Sequence, residues 1–215
     1  SGKWDAAKYR LTVSSGDALI IREQFVRVDG LKIEITNVTL DQRGIHQDLG
    51  GVSGLYEISN NIIRGVSGAG FNFGIYSNTS AGSVSKIWNN IIYDIGKTST
   101  GASGIRLYYD VTPLSVVYFY NNTIYNLSQG IQRSGNILVA KNNLVYNNTD
   151  NYNGTFSAAS TNNLSGPGAD AQTPATNARN GVTVAFIDTV NGDYHLAASD
   201  TSAKDAGTNL SSDAN

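Results

Sequence analysis

The chain of 215 residues carries a formal net charge of −2, with 15% charged residues, 40% hydrophobic residues and 23 glycines. That hydrophobic content excludes a disordered polymer, and the lack of any basic run leaves nucleic acid and anionic membranes without electrostatic support as partners. No apolar stretch is long enough to insert into a bilayer.

Cysteine and methionine are both absent. The chain therefore reads as a mature or excised segment. The absence of Cys fits an exported protein that does without disulfides, although cytosolic proteins also lack Cys; the expected location is extracellular or at the cell surface. Plentiful Gly, Asn and Ser, together with mainly β-branched apolar residues, make a turn-rich β composition.

After a short lead (WDAAK), Tyr9–Val13 (YRLTV) is the first predicted strand, and no amphipathic capping helix precedes it. Gly30-Leu31, inside VRVDGLKIEI, opens a series of corner markers. Asn60-Asn61 and Asn89-Asn90 head two copies of NNII, and Asn121-Asn122, Asn142-Asn143 and Asn162-Asn163 head NNTI, NNLV and NNLS. By subtraction of residue numbers the steps are 30, 29, 32, 21 and 20. A period of this length marks a solenoid, in which each coil buries its apolar face against its neighbours.

Two residues before the marker stand Val28, Ile58, Ile87, Phe119 and Ala140; three after it stand Ile33, Ile63, Ile92, Ile124 and Val145. Both columns are apolar, and the spacing is that of strands with one buried face. Two strands thus meet at each marker through a corner, where Asn and Gly tolerate positive φ. Stacked Asn amides at such a corner bond from coil to coil.

A second marker supplies a third side. Gly44-Ile45, Gly74-Ile75, Gly104-Ile105 and Gly130-Ile131 recur at 30, 30 and 26 residues, again by subtraction, and each is predicted to begin a short strand. Leucine-rich repeats also carry Leu and Asn at similar periods, but they keep a near-constant length and a helical side. Here the repeat length varies and no segment carries a helix-period stripe, which rejects that alternative.

These markers resemble the right-handed parallel β-helix of the pectate-lyase type, including secreted repeat proteins of uncharacterised function. The resemblance covers Tyr9 to Ser165 and extends through Phe186–Asn209, which is similar to the closing segment of many members. The expected fold is an all-β, right-handed parallel β-helix (solenoid) of about five to six coils. Residues 1–165 form the coils, and 166–215 form an irregular C-terminal closing segment of the same domain. Both ends read as bare.

The resemblance implies a groove on the side made by the Gly-Ile strands. With each Ile inward, alternation turns His46, Tyr76, Arg106 and Gln132 outward, followed by Asp48, Asn78, Tyr108 and Ser134. In a polysaccharide lyase, Tyr76 or His46 exchanges protons and Arg106 neutralises a uronate carboxylate. The bland reading is that outward residues on a solvated sheet are often polar or aromatic without catalysing anything. His46, Asp48, Tyr76, Arg106, Tyr108 and Gln132 are accordingly candidates for glycan contact, with His46, Tyr76 and Arg106 as the catalytic candidates.

No cofactor is required by this reading. Calcium is the one ion weighed: Asp48 and Asp110 lie near the same face on different coils, and the DTVNGD segment (Asp188–Asp193) spaces oxygen ligands, although a plain turn explains it equally. No metal ligand set is assigned. His195 is expected to be structural. A second outward column, Arg64, Tyr93, Tyr125 and Tyr146, and the pair Trp88 and Tyr120 offer either sugar-stacking faces or coil-to-coil packing, with packing preferred. No Thr array suited to ice is present.

The expected function is a non-catalytic structural, adhesive or glycan-contacting module. It would meet a copy of itself or flanking domains through its coil ends, with polysaccharide as a further partner. The alternative is a polysaccharide lyase or related carbohydrate-active enzyme acting on an acidic glycan.

Overall fold

The computed structural model describes residues 2–211 and 213, except 38, 40, 67, 69, 109–114, 135 and 136. Among them there is no helix, and three parallel sheets stack into a β-helix. The first sheet has six strands, Gly16–Ile21, Gln42–Asp48, Asn72–Asn78, Ser103–Tyr108, Gln129–Arg133 and Asp150–Asn153. The second has five, Val26–Asp29, Leu55–Ser59, Val84–Trp88, Val116–Tyr120 and Ile137–Lys141. The third has eight, Leu11–Val13, Lys32–Ile35, Ile62–Arg64, Ile91–Tyr93, Thr123–Tyr125, Leu144–Tyr146, Leu164–Gly166 and Arg179–Asn180.

The two apolar columns flanking the Asn corner are buried throughout, from Val28 to Ala140 on the second sheet and from Ile33 to Val145 on the third. Ile45, Ile75, Ile105 and Ile131 of the first sheet complete the core as a third register column.

Each half of the Asn pair has its own physical task. The first residue turns the chain: Gly30, Asn60, Asn89, Asn121, Asn142 and Asn162 have φ between 53° and 76°, a region costly for most side chains. The second residue forms a buried ladder. Asn61 Nδ2 donates to Asn90 Oδ1 at 2.9 Å, Asn90 to Asn122 at 3.0 Å, Asn122 to Asn143 at 3.1 Å and Asn143 to Asn163 at 2.9 Å. The backbone N–H of each rung donates to the same oxygen.

The glycine of the Gly-Ile marker marks close approach between coils. A Cβ on Gly44, Gly74 or Gly104 would stand 2.6, 2.6 or 2.9 Å from the carbonyl oxygen of the matching glycine in the next coil. It would also meet Ile63, Ile92 or Ile124 in the core. These glycines lie inside the strands, which start one or two residues earlier than the marker predicts. The strand Gly16–Ile21 carries no Gly-Ile; Leu19 pairs with Ile45 in its place.

The ends differ. At the first coil, the strands Gly16–Ile21 and Val26–Asp29 are sheet edges, and a cavity of about 380 Å³ lies among Leu19, Val26, Leu31 and their neighbours. Phe25 beside it is 74% exposed. The other end is not bare, contrary to expectation. Thr161 N donates to Ala140 O and Ser157 N to Leu138 O along the last second-sheet strand, and Asp170 accepts from Tyr152 N at 2.7 Å beside the last first-sheet strand.

Candidate functional site

On the first sheet, His46, Tyr76, Arg106 and Gln132 are register partners in successive coils, and Asp48, Asn78 and Tyr108 form the next outward column. The Ile column that alternates with them faces the core and is fully buried, so the inward–outward assignment holds. Asp110 lies outside the described residues.

The side chains of this face are packed on one another. His46 meets Tyr76 edge to face, with ring centroids 5.1 Å apart, and Tyr76 stacks on Tyr108 at 6.0 Å. The Arg43 guanidinium lies 4.7 Å from the Tyr76 ring centre, and that of Arg106 lies 5.4 Å from Phe73 and 5.3 Å from Tyr108. Such cation–aromatic contacts are each worth about 0.5–1 kcal/mol at exposed sites. Gln132 accepts a bond from Ser103 Oγ at 3.1 Å. Asp48 accepts one from Arg22 Nε, also at 3.1 Å.

Asp17, Arg43 and Phe73 belong to this face and escape the sequence reading. Asp17 Oδ2 is 2.7 Å from His46 Nδ1, and Asp17 Oδ1 accepts from Arg43 Nη1 at 3.0 Å. Asp17 sits in the coil that lacks the Gly-Ile marker. Arg43 and Phe73 immediately precede Gly44 and Gly74, where the strand stops alternating: a Cβ on the glycine would point at core Ile63 or Ile92, the same side as the following Ile. Counting back in twos from His46 therefore misplaces them, and the signal available was the residue before each marker glycine.

Burial pushes the Tyr76 hydroxyl above its usual pKa, with Arg106 and Arg43 pulling the other way. A tyrosine in that condition stays protonated and is a poor general base at neutral pH.

The third-sheet column, Arg64, Tyr93, Tyr125 and Tyr146, is in register but covered. A hairpin formed by Phe186–Asp188 and Asp193–Leu196 lays Tyr194 4.7 Å from Tyr93 and Phe186 5.6 Å from Tyr125. Trp4 closes over Tyr93 from the N-terminal side, leaving it 3% exposed. The rings are therefore a packing seam and offer no open sugar-binding face.

The hairpin turn uses Asp188 to accept two bonds from Asn191, and Asp193 faces Lys3 and His195. Those oxygens serve the turn and the N-terminal lead. Among the described residues, no group of three or more His, Cys, Asp or Glu side chains is placed to hold a metal. His195, with Nδ1 2.6 Å from Asp193, belongs to the same closing contact. Trp88 and Tyr120 remain half-buried register neighbours on the second sheet.

No protein-family model, curated protein or solved structure matches the chain.

Proposed function

We propose that this chain is a non-catalytic β-helix module that contacts an acidic glycan along its first sheet and assembles through its open first coil. The observation that supports the first part is the face on which Tyr76 and Arg106 are register partners, with the Arg43 guanidinium and the Tyr108 ring packed beside them. Strands about 4.8 Å apart set Tyr76 and Arg106 in line along the helix axis, with Tyr108 in the next outward column. The guanidinium N–H edges suit carboxylates, and the rings suit the C–H faces of sugars.

A polysaccharide lyase is the competing reading, favoured by the Asp17–His46 pair: a carboxylate on Nδ1 orients the ring and fixes its tautomer. Against it, the His46 side chain is only 13% exposed and its carboxylate is shared with Arg43. The adjacent Tyr76 is shifted away from the base role.

Arg106→Ala is expected to weaken binding of an oligogalacturonate about tenfold or more, the value of one charge-assisted hydrogen bond, and to leave a neutral oligosaccharide unaffected. Calorimetry on both ligands measures this. Equal loss for the two, or accumulation of ultraviolet-absorbing unsaturated uronate with the purified chain, sinks the proposal; the second outcome establishes the lyase.

The assembly part rests on the asymmetry of the ends. The last coil is covered by its own chain, so two copies meet most readily through their first coils, about a two-fold axis that pairs like edges. Sedimentation is expected to show a concentration-dependent dimer that Leu19→Lys, with its charge at the open cavity, converts to monomer. A wild-type chain that stays monomeric at high concentration rules this contact out.

A further inference from the structure

The second sheet carries a cleft that the acidic-glycan reading does not use. Its floor is the register pair Trp88 and Tyr120, with the Tyr118 ring 5.8 Å from Tyr120 and tilted by 55°. One side is bordered by Glu57 and Lys86, also register partners.

The opposite wall is the C-terminal tail, and the corner residues hold it there. Asn142 Nδ2 donates to Thr208 O at 2.9 Å while Thr208 N donates back to Asn142 Oδ1 at 2.8 Å. Asn162 Nδ2 donates to Ala206 O at 3.0 Å. Lys141 Nζ, 5.8 Å from the Tyr120 ring centre, reaches Asp213 Oδ1 at 2.5 Å. The enclosed space is about 290 Å³, at the small end of ligand sites.

The chemistry of the lining selects the ligand. Three aromatic rings offer faces to C–H groups, as a pyranose ring presents them. Glu57 and Lys86 are register neighbours of opposite charge and Asp213 is bridged to Lys141, so acidic and basic groups are equal in number and the cleft offers hydrogen bonds without an excess of either charge. Burial raises the Tyr120 hydroxyl, which keeps it a donor at neutral pH. We infer that this cleft binds one neutral hexopyranose unit of a glycan, stacked on Trp88 and Tyr120, with its hydroxyls bonded to Glu57, Lys86 and Asp213. This inference goes beyond the proposed function and stands without it, because it uses a different sheet and a neutral rather than an acidic ligand.

The experiment is calorimetric titration of the full chain with cellobiose, maltose, lactose and mannobiose, beside an oligogalacturonate. Saturable binding of at least one neutral disaccharide is expected. Trp88→Ala should weaken it at least about tenfold, while Trp88→Phe, which keeps a ring face, should stay within about threefold. Unchanged thermal melting separates loss of the ring from loss of fold. Arg106→Ala should leave neutral binding intact, and Trp88→Ala should leave oligogalacturonate binding intact, so each site fails independently. No saturable binding across the neutral panel overturns the inference. So does neutral binding indifferent to Trp88→Ala, or a loss shared equally by Trp88→Phe.

Discussion

Asn122→Asp is expected to destabilise the protein by on the order of 4 kcal/mol, although it replaces only an amide by a carboxyl of the same shape. Asn122 is 1% exposed. Its Nδ2 faces three oxygens, Ile87 O at 2.9 Å, Tyr120 O at 3.0 Å and Asn143 Oδ1 at 3.1 Å. A carboxylate there turns donors into a buried negative charge among acceptors, and each stranded polar group costs about 1–3 kcal/mol. Protonation restores one donor at most, so the folded state raises the carboxyl's pKa. The sign follows: a raised folded pKa penalises stability as pH rises through the unfolded value near 4, so the deficit is largest at neutral pH and shrinks in acid. Urea denaturation of wild type and variant at pH 7 and near pH 4 measures both. The neighbour serves as control. Asn121 has φ +53° and an exposed side chain, so Asn121→Gly is expected to be tolerated where Asn122→Gly is not. Equal cost at the two positions would show that the pair acts only as a turn.

This contrast explains why the corner was legible from sequence. Two adjacent Asn residues are kept by two separate demands, positive φ and a buried amide rung, and together they leave a marker at each of five successive corners from Asn60-Asn61 to Asn162-Asn163. The Gly-Ile marker was legible for a similar reason, since backbone of the next coil forbids a Cβ at Gly44, Gly74 and Gly104. What the sequence hid falls where these demands lapse. The first coil offers Ala18-Leu19 in place of the marker, and Asp17 went unnoticed with it. Arg43 and Phe73 lie across the position where alternation slips. The cover over Tyr93 and Tyr146 comes from residues 186–196 and Trp4, distant in sequence and without the repeat, so no local pattern at the tyrosines announces it. The tail that walls the Trp88 cleft is hidden in the same way, because Asn142 and Asn162 bond it with side chains whose identity was already explained by the corner.

Ile92→Ala is expected to cost about 2–5 kcal/mol, because its side chain is fully buried between Ile63 and Ile124 and the cavity opens inside a stack that cannot collapse along the axis. Gly74 makes the same contact from the other side: an added Cβ would stand 2.6 Å from Ile92 Cγ2 and 2.6 Å from the Gly104 carbonyl oxygen. Gly74→Ala alone is therefore an overpacking change, with an expected cost of about 1–3 kcal/mol. Combined, the two changes should cost less than their sum by about 0.5–2 kcal/mol, since the new methyl enters space that Ile92 has vacated. Relief should be incomplete, because the Gly104 carbonyl belongs to the backbone of the next coil and cannot swing away as a side chain does. Thermal and urea unfolding of the two single variants and the double variant close the cycle. Strict additivity would mean that the carbonyl alone keeps glycine at the marker. Full recovery to the Ile92→Ala level would assign it to the isoleucine, and the intermediate value expected here assigns it to both, tying the Gly-Ile marker to the core column that it faces.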